Sequence, residues 1–237
     1  MTRTGILSGT ILLQRTSFFR DLTRKTFSTA CGEATLFLSR DIAFVPRHGT
    51  DPKEHILPHR INHKANLLAL REAGAKEVIA VHSTGSLKRR LAPGTLVVPD
   101  DFIDLSGGPT VFETKAVHVT PVIDDGLRRK LLRAAAACGI EAVDGGVYWQ
   151  TKGPRLETRA EIALMARFAD LVGMTMASEA VIARELNLPF ASLCSVDNYA
   201  HGIGDRALSI DEILEQARKN EDRVVTILEA CMEGGRA

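Results

Sequence analysis

The sequence predicts an α/β fold built on a central mixed sheet, on three observations. Short apolar runs alternate with stretches of helical periodicity along the chain. Two of those runs, EVIAV at residues 77–81 and FASLCSV at 190–196, read as buried strands. Polar segments (SGT, RHG, HSTGS, GMT and VDNY) each follow a candidate strand, where folds of this class place their ligand sites. No internal repeat or low-complexity linker divides the 237 residues, so one domain over residues 1–237 is expected.

In chain order, TGIL (4–7) is a first strand, and TLFL (35–38) and IAFV (42–45) form a strand pair meeting at SRD. The His- and Pro-rich stretch PRHGTDPKEHILPHRIN is a loop. A helix opens at Asn62 or His63 and runs to about Ala73, with Leu67, Leu68 and Leu70 on its apolar side and Gly74 as terminator. TLVVPD (95–100) is a strand, and VFETKAVHVT (111–120) holds one or two more. Residues 124–138 form a helix with Asp124 and Asp125 near its positive end and Gly139 as breaker. GVYWQTKGPRLET starts as a strand and becomes a loop, residues 159–168 are helical, and DLVGMTM is a short strand and turn. Ser178 caps the helix SEAVIAREL, with Glu179 and Glu185 on its polar side. NYAHGIGDRALS is a loop. Ser209 and Glu212 form a capping box for a closing helix over 209–233, striped by Leu214, Ala217, Val224, Val225 and Leu228.

Thirty basic residues against 29 acidic ones leave a net charge of +1, which gives no general nucleic-acid binder. No apolar run approaches the roughly 18 residues of a span, and the start of the chain lacks a signal-peptide core, so no membrane partner and no secretion are expected. Cys31, Cys138, Cys194 and Cys231 form no CxxC pair, which fits a reducing, cytoplasmic setting.

Several constellations have both a chemical and a structural reading. His55, His59 and His63 recur every four residues, but Pro58 interrupts any helix that would align them and no close Cys or Asp completes a ligand set, so no metal is expected. At Arg47-His48-Gly49 the arginine offers a fork of donors to an oxyanion and the histidine one more; the alternative is a buried ion pair at a strand end. SGT (8–10) and GSL (85–87) either turn N–H groups and a hydroxyl toward a phosphate or reverse the chain. The absence of GxGxxG, Walker A and GxSxG patterns disfavours dinucleotide, nucleoside-triphosphate and serine-hydrolase chemistry. Glu157, in TKGPRLETRAE, either solvates a helix start or accepts hydrogens from a ring ligand. Asn198, with donor and acceptor both, reads a purine edge or caps a turn.

Taken together, SGT, PRHG, PHRINHKANLLALREAG, TGSL, PDDFID, GGVYWQTKGPRLETRAEI, DLVGMTMASEAVIARELNLPFASL and VDNYAHG resemble the trimeric purine nucleoside phosphorylase and methylthioadenosine phosphorylase family over nearly the whole chain. The resemblance implies a partly barrel-like mixed sheet flanked by helices and a pentosyltransferase that uses inorganic phosphate as co-substrate, with no cofactor and no metal. Phosphate attacks C1′ as the bond to N9 breaks, releasing purine and ribose 1-phosphate or its 5-methylthio derivative. Catalysis then needs a positioned anion and a donor to the departing base.

By the same resemblance Thr10, Arg47, His48 and Thr175 contact phosphate, Met174 packs near the ribose, and Glu157 and Asn198 read the base of a 6-oxopurine such as inosine, guanosine or 5′-methylthioinosine. Asn198, His48 and Arg47 carry the catalytic roles. The acid pair of the aminopurine branch is replaced by Asn198-Tyr199-Ala200, which disfavours adenine. His118 matches a residue that covers the 5′ end in the next subunit, so a homotrimer, or a homohexamer, is expected. The chain departs from the family pattern in SGTI at 8–11, in His82 at a small polar phosphate-side position, in Leu156 for a stacking aromatic, and in Asp197 for an uncharged residue. Those departures leave two alternatives, a purine nucleoside hydrolase and a catalytically impaired purine-binding protein.

Overall fold

The computed structural model describes residues 3–9, 21–51, 54–205 and 209–233. The first half supplies β1 (Arg3–Ser8), β2 (Thr23–Thr29), β3 (Gly32–Leu38), β4 (Ile42–Pro46), α1 (His63–Glu72), β5 (Ala75–Ser86), β6 (Leu96–Val98) and β7 (Asp101–Asp104). The second half supplies α2 (Asp125–Ala137), β8 (Val143–Asp144), β9 (Val147–Gln150), α3 (Arg159–Met165), β10 (Leu171–Gly173), α4 (Met176–Glu185), β11 (Phe190–Tyr199) and α5 (Ile210–Glu233).

One mixed sheet gathers the strands in the order β2-β3-β4-β1-β5-β10-β9-β7, and a branch leaves β5 through β11 to β6 and β8. The centre is parallel: β1 pairs with β4 and β5, and β11 runs beside β5 from Val78 to Ser86. Strands buried on both faces read as near-continuous apolar runs, as at 78–81 and at 190–196, where Ser192 and Ser195 are the polar exceptions. Helices α1 and α4 pack together, as do α2 and α5, and both pairs lie against the sheet. Ile6, Leu7, Phe44, Ile79, Leu131 and Leu193 are fully buried, each contributing roughly 1.5–3 kcal/mol of transfer free energy.

The helix starts follow capping chemistry. Asn62 accepts from Ala65 N at 3.0 Å, Asp124 accepts from Leu127 N at 2.8 Å, and Thr158 with Glu161 forms a reciprocal capping box at α3. Ser209 Oγ lies 3.5 Å from Glu212 N at the head of α5.

TRKTFST, for which the sequence suggests no element, forms β2, an exposed strand whose ladder partner among the described residues is β3, so it carries no buried face to betray it. Four expectations need correction. Residues 111–120 hold no strand. HSTGS belongs to β5 and VDNY to β11, so these segments are strand ends rather than loops after strands. The N-cap of α4 is Thr175, and Ser178 lies inside the helix, where it accepts from Gln150 Nε2 at 2.7 Å. Glu179 and Glu185 are buried, because α4 is covered on nearly every side; Glu185 accepts from Thr110 Oγ1 and Val111 N.

Candidate active site

The C-terminal ends of β1, β4, β5 and β11 open into a cavity of about 710 Å3, within the range of small-molecule sites. Ser8, Gly9, Arg47 and His48 line one end, Leu156, Glu157, Val172 and Asn198 the other, and Ile213, Leu214 and Ala217 of α5 form a wall.

At the first end, Arg47 is 3% exposed and its guanidinium is almost fully engaged. Nε and Nη2 clamp Glu179 at 2.6 and 3.0 Å, Nη1 donates to Val81 O at 2.7 Å, and Nη2 donates to Leu7 O at 3.1 Å. A guanidinium has five N–H donors, so one Nη1 hydrogen is left for a ligand. The open fork expected from Arg47 is instead largely a buried ion pair. His82 is likewise not a free donor: its Nδ1 faces Ser192 Oγ at 2.7 Å and its Nε2 faces Glu179 Oε2 at 3.0 Å. Burial, with the Arg47 charge beside it, pushes His82 down to about 4, so the ring is neutral, donating from Nε2 and accepting at Nδ1. Burial alone would raise the Glu179 carboxyl, but the charge of Arg47 and the His63 and His82 rings hold it well below the usual carboxylate range.

His48 also differs from its expected role as a donor. Its Nδ1 lies 2.8 Å from Ile56 O, and a carbonyl only accepts, so Nδ1 carries the proton. Burial and the neighbouring Arg47 lower the ring to about 4 despite that bond. Neutral His48 therefore presents an acceptor at Nε2. Its ring stacks on His55, centroids 4.4 Å apart at 12°, while His63 sits in α1 with Nδ1 3.6 Å from Glu179 and His59 lies in a separate exposed turn. The three histidines thus go to three different places.

The second end keeps its valences open. Glu157 is 9% exposed, and Thr151 Oγ1 donates to its Oε1 at 2.7 Å, leaving Oε2 without a donor among the described residues. Asn198 spends one Nδ2 hydrogen on Tyr199 O at 2.9 Å and retains a second hydrogen and Oδ1. Next to it, a register shift between Val196 and Asn198 makes Asp197 a bulge residue, and a bulge breaks alternation, so consecutive side chains line one cavity. Among the described residues Asp197 pairs with no cation. Its Oδ1 accepts from Ser195 Oγ at 2.5 Å and Asn220 Nδ2 at 3.3 Å, and burial pushes its carboxyl up.

Between the ends sit Met174 and the α4 N-terminus. Tyr148 Oη accepts from Thr175 N and Met176 N at 3.2 and 3.4 Å, which fixes Thr175 against the cavity. This requires Gly173, since a Cβ there would overlap the Tyr148 hydroxyl. Gly153, at φ +63°, packs against Met174 so closely that a Cβ would meet its Sδ. Leu156 lines the cavity half-exposed. His118 is exposed on the segment after β7 and does not line this cavity, and Thr10 lies outside the described residues.

Sequence reasoning missed Glu179, His63 as its neighbour, Ser192, Thr151 and the Asn220 contact. For Glu179 a signal existed: in MASEAVIARE it is the acid set among apolar residues, with Arg184 and Glu185 only at the helix end, and an unpaired carboxylate there would be prohibitively costly.

Comparison with known proteins places the chain in a family. Residues 6–233 match the Phosphorylase superfamily. The chain is 42% identical over 234 residues, 97% of this chain and 95% of the relative, to a probable 6-oxopurine nucleoside phosphorylase of Archaeoglobus fulgidus. It is 39% identical over 236 residues, 96% and 82% of the two chains, to a probable S-methyl-5'-thioinosine phosphorylase of Methanothermobacter thermautotrophicus. Among solved structures, methylthioadenosine phosphorylase from Schistosoma mansoni in complex with adenine superposes with a TM-score of 0.86 at 26% identity, covering 98% of this chain and 91% of that one. The chain belongs to the phosphorylase superfamily, in its purine nucleoside and methylthioadenosine phosphorylase branch, whose reaction is the phosphorolysis of purine nucleosides.

Proposed function

We propose that this chain phosphorolyses 6-oxopurine ribonucleosides, namely inosine, guanosine or 5′-methylthioinosine, to free purine and ribose 1-phosphate or its 5-methylthio derivative. The observation that carries the reading is the pairing of Glu157 and Asn198 in one cavity, with Ala200 where a second acid would serve a 6-amino group. Glu157 Oε2 accepts N1–H. The free Asn198 hydrogen donates to N7 or O6 as negative charge grows on the departing base, a stabilisation realised only as the bond breaks. Phosphate binds at the end lined by Ser8, Gly9, Arg47 and His48, with Thr10 and Thr175 contributing hydroxyls and Met174 packing against the sugar. The names of the relatives support both 5′ substituents. The enzyme works in the cytoplasm as a homotrimer or homohexamer, in which His118 of one subunit covers the 5′ end of its neighbour's site.

One observation favours a second reading, hydrolysis. The Arg47 fork is spent on Glu179, which weakens the case for an anion and leaves room for water. Base release from inosine, guanosine, adenosine, methylthioadenosine and methylthioinosine, with and without phosphate, separates the two. Phosphorolysis of oxopurines gives release only with phosphate and a sugar phosphate product, whereas hydrolysis gives free ribose in either case.

A further inference from the structure

Resting on the reading that Thr175 contacts the phosphate co-substrate, we propose that Gln150 is a positioning residue: it caps α4 in place of Thr175 and so frees the Thr175 hydroxyl for that ligand. A helix leaves its first amides without partners inside the helix, and a threonine at the N-cap ordinarily spends its hydroxyl on one of them. Thr158 does this at α3, where its Oγ1 accepts from Glu161 N at 3.2 Å. Thr175 holds the same position at α4 and makes no such bond. Its backbone, at φ −138° and ψ −27°, also departs from the extended conformation of Thr158.

Two side chains of β9 take that part instead. Tyr148 and Gln150 stand two residues apart, so they share one face of the strand, and α4 packs against β9. Tyr148 Oη accepts from Thr175 N and Met176 N, and Gln150 Oε1 accepts from Ala177 N and Ser178 N at 2.7 and 3.2 Å. The last two are the amides that an N-cap hydroxyl reaches. Gln150 is buried, and its amide has one orientation that works: Nε2 donates to Ser178 Oγ at 2.7 Å, and turned over it would face two N–H donors. The start of α4 is thereby satisfied from another element. The helix leaves the Thr175 hydroxyl uncommitted, on a residue that lines the cavity next to Met174. Without the Gln150 acceptor two buried amides would lack a partner, and the N-cap hydroxyl is the group that ordinarily supplies one.

The test measures phosphate-dependent base release from inosine, and urea denaturation of the full chain, for Thr175→Val, Gln150→Met and the two together. Thr175→Val should raise KM for inorganic phosphate about tenfold, the worth of one hydrogen bond to a charged group, and leave the urea midpoint at its wild-type position. Gln150→Met fills similar space without an acceptor. It should raise KM for phosphate by a similar factor while kcat at saturating phosphate stays within about threefold. Added to Thr175→Val, it should raise that KM less than about twofold, because the hydroxyl it diverts is already gone. Full multiplication of the two factors overturns the inference, since Gln150 would then act on the site by another route. A urea midpoint that drops in Thr175→Val also overturns it, because the hydroxyl would itself be the cap; this measurement decides if Gln150→Met does not fold. A phosphate-dependent reaction whose KM ignores both substitutions removes the inference and leaves phosphorolysis standing. Base release that is equal without phosphate removes the co-substrate reading, and with it the ligand assigned to Thr175.

Discussion

The two ends of the cavity handle polarity in opposite ways. At the Arg47 end, charge is satisfied inside the protein: Arg47, Glu179, His82 and Ser192 form a closed set, and His48 is turned to Ile56. At the Asn198 end, Glu157 and Asn198 are each held by one bond and keep a second valence for a ligand. A closed set is rigid and shapes a pocket; a half-held group reads what enters. The same residue types, acids and amides, are structural at one end and ligand-reading at the other because of what packs around them.

The sharpest way to break this contrast is to open the closed end. Glu179→Ala leaves Arg47 buried without its counter-charge, and should cost about 3–5 kcal/mol of stability by urea denaturation. A loss below about 1 kcal/mol would mean the ion pair is not the structural unit described.

Acid should loosen the same end next. Neutral His82, lowered to about 4 in the fold, binds a proton in the unfolded chain near its ordinary value of 6.5. Between those values the unfolded state holds more protons, so stability falls as pH drops through this window, by about 3 kcal/mol at most from this residue. His48 acts in the same direction. Glu179, held low, adds a further loss only below its unfolded value of 4.5. Denaturation midpoints that stay flat from neutral pH to about 4 would contradict buried neutral histidines.

Gly173 tests the wall between the ends. Gly173→Ala should destabilise by about 1–3 kcal/mol through overlap with the Tyr148 hydroxyl, and adding Tyr148→Phe should recover part of that loss. Strict additivity of the two changes would place the strain elsewhere.

The smallest expected change in free energy falls at the open end, as altered specificity. Asn198→Asp exchanges a donor for an acceptor, so 6-oxopurine turnover should drop roughly 10-fold or more while 6-aminopurines gain relative to it. Relative rates that do not move would take Asn198 out of base recognition.

Much of this was legible in the sequence where one local rule decided the outcome. The apolar runs at 77–81 and 190–196 became β5 and β11, and the helices read from Asn62 or His63, over 124–138 and from 159 became α1, α2 and α3. Glu157 and Asn198, placed at the site by resemblance, do line the cavity. What was not legible depends on contacts distant in the chain. HSTGS looks like a loop until His82 meets Ser192 and Thr84 Oγ1 meets Ser195 O, 110 and 111 residues away. Glu179 and Glu185 look solvated until α4 is surrounded, and Arg47 looks like an open fork until Glu179 closes on it from 132 positions away. A charged residue's role follows from its partner, and pattern along the chain does not name the partner.

The direct measurement is release of base from inosine by the intact chain, followed with and without inorganic phosphate while the sugar product is identified. The account predicts hypoxanthine and ribose 1-phosphate with phosphate present, and no release when phosphate is rigorously removed. Equal release in its absence, with free ribose as the sugar, would contradict it.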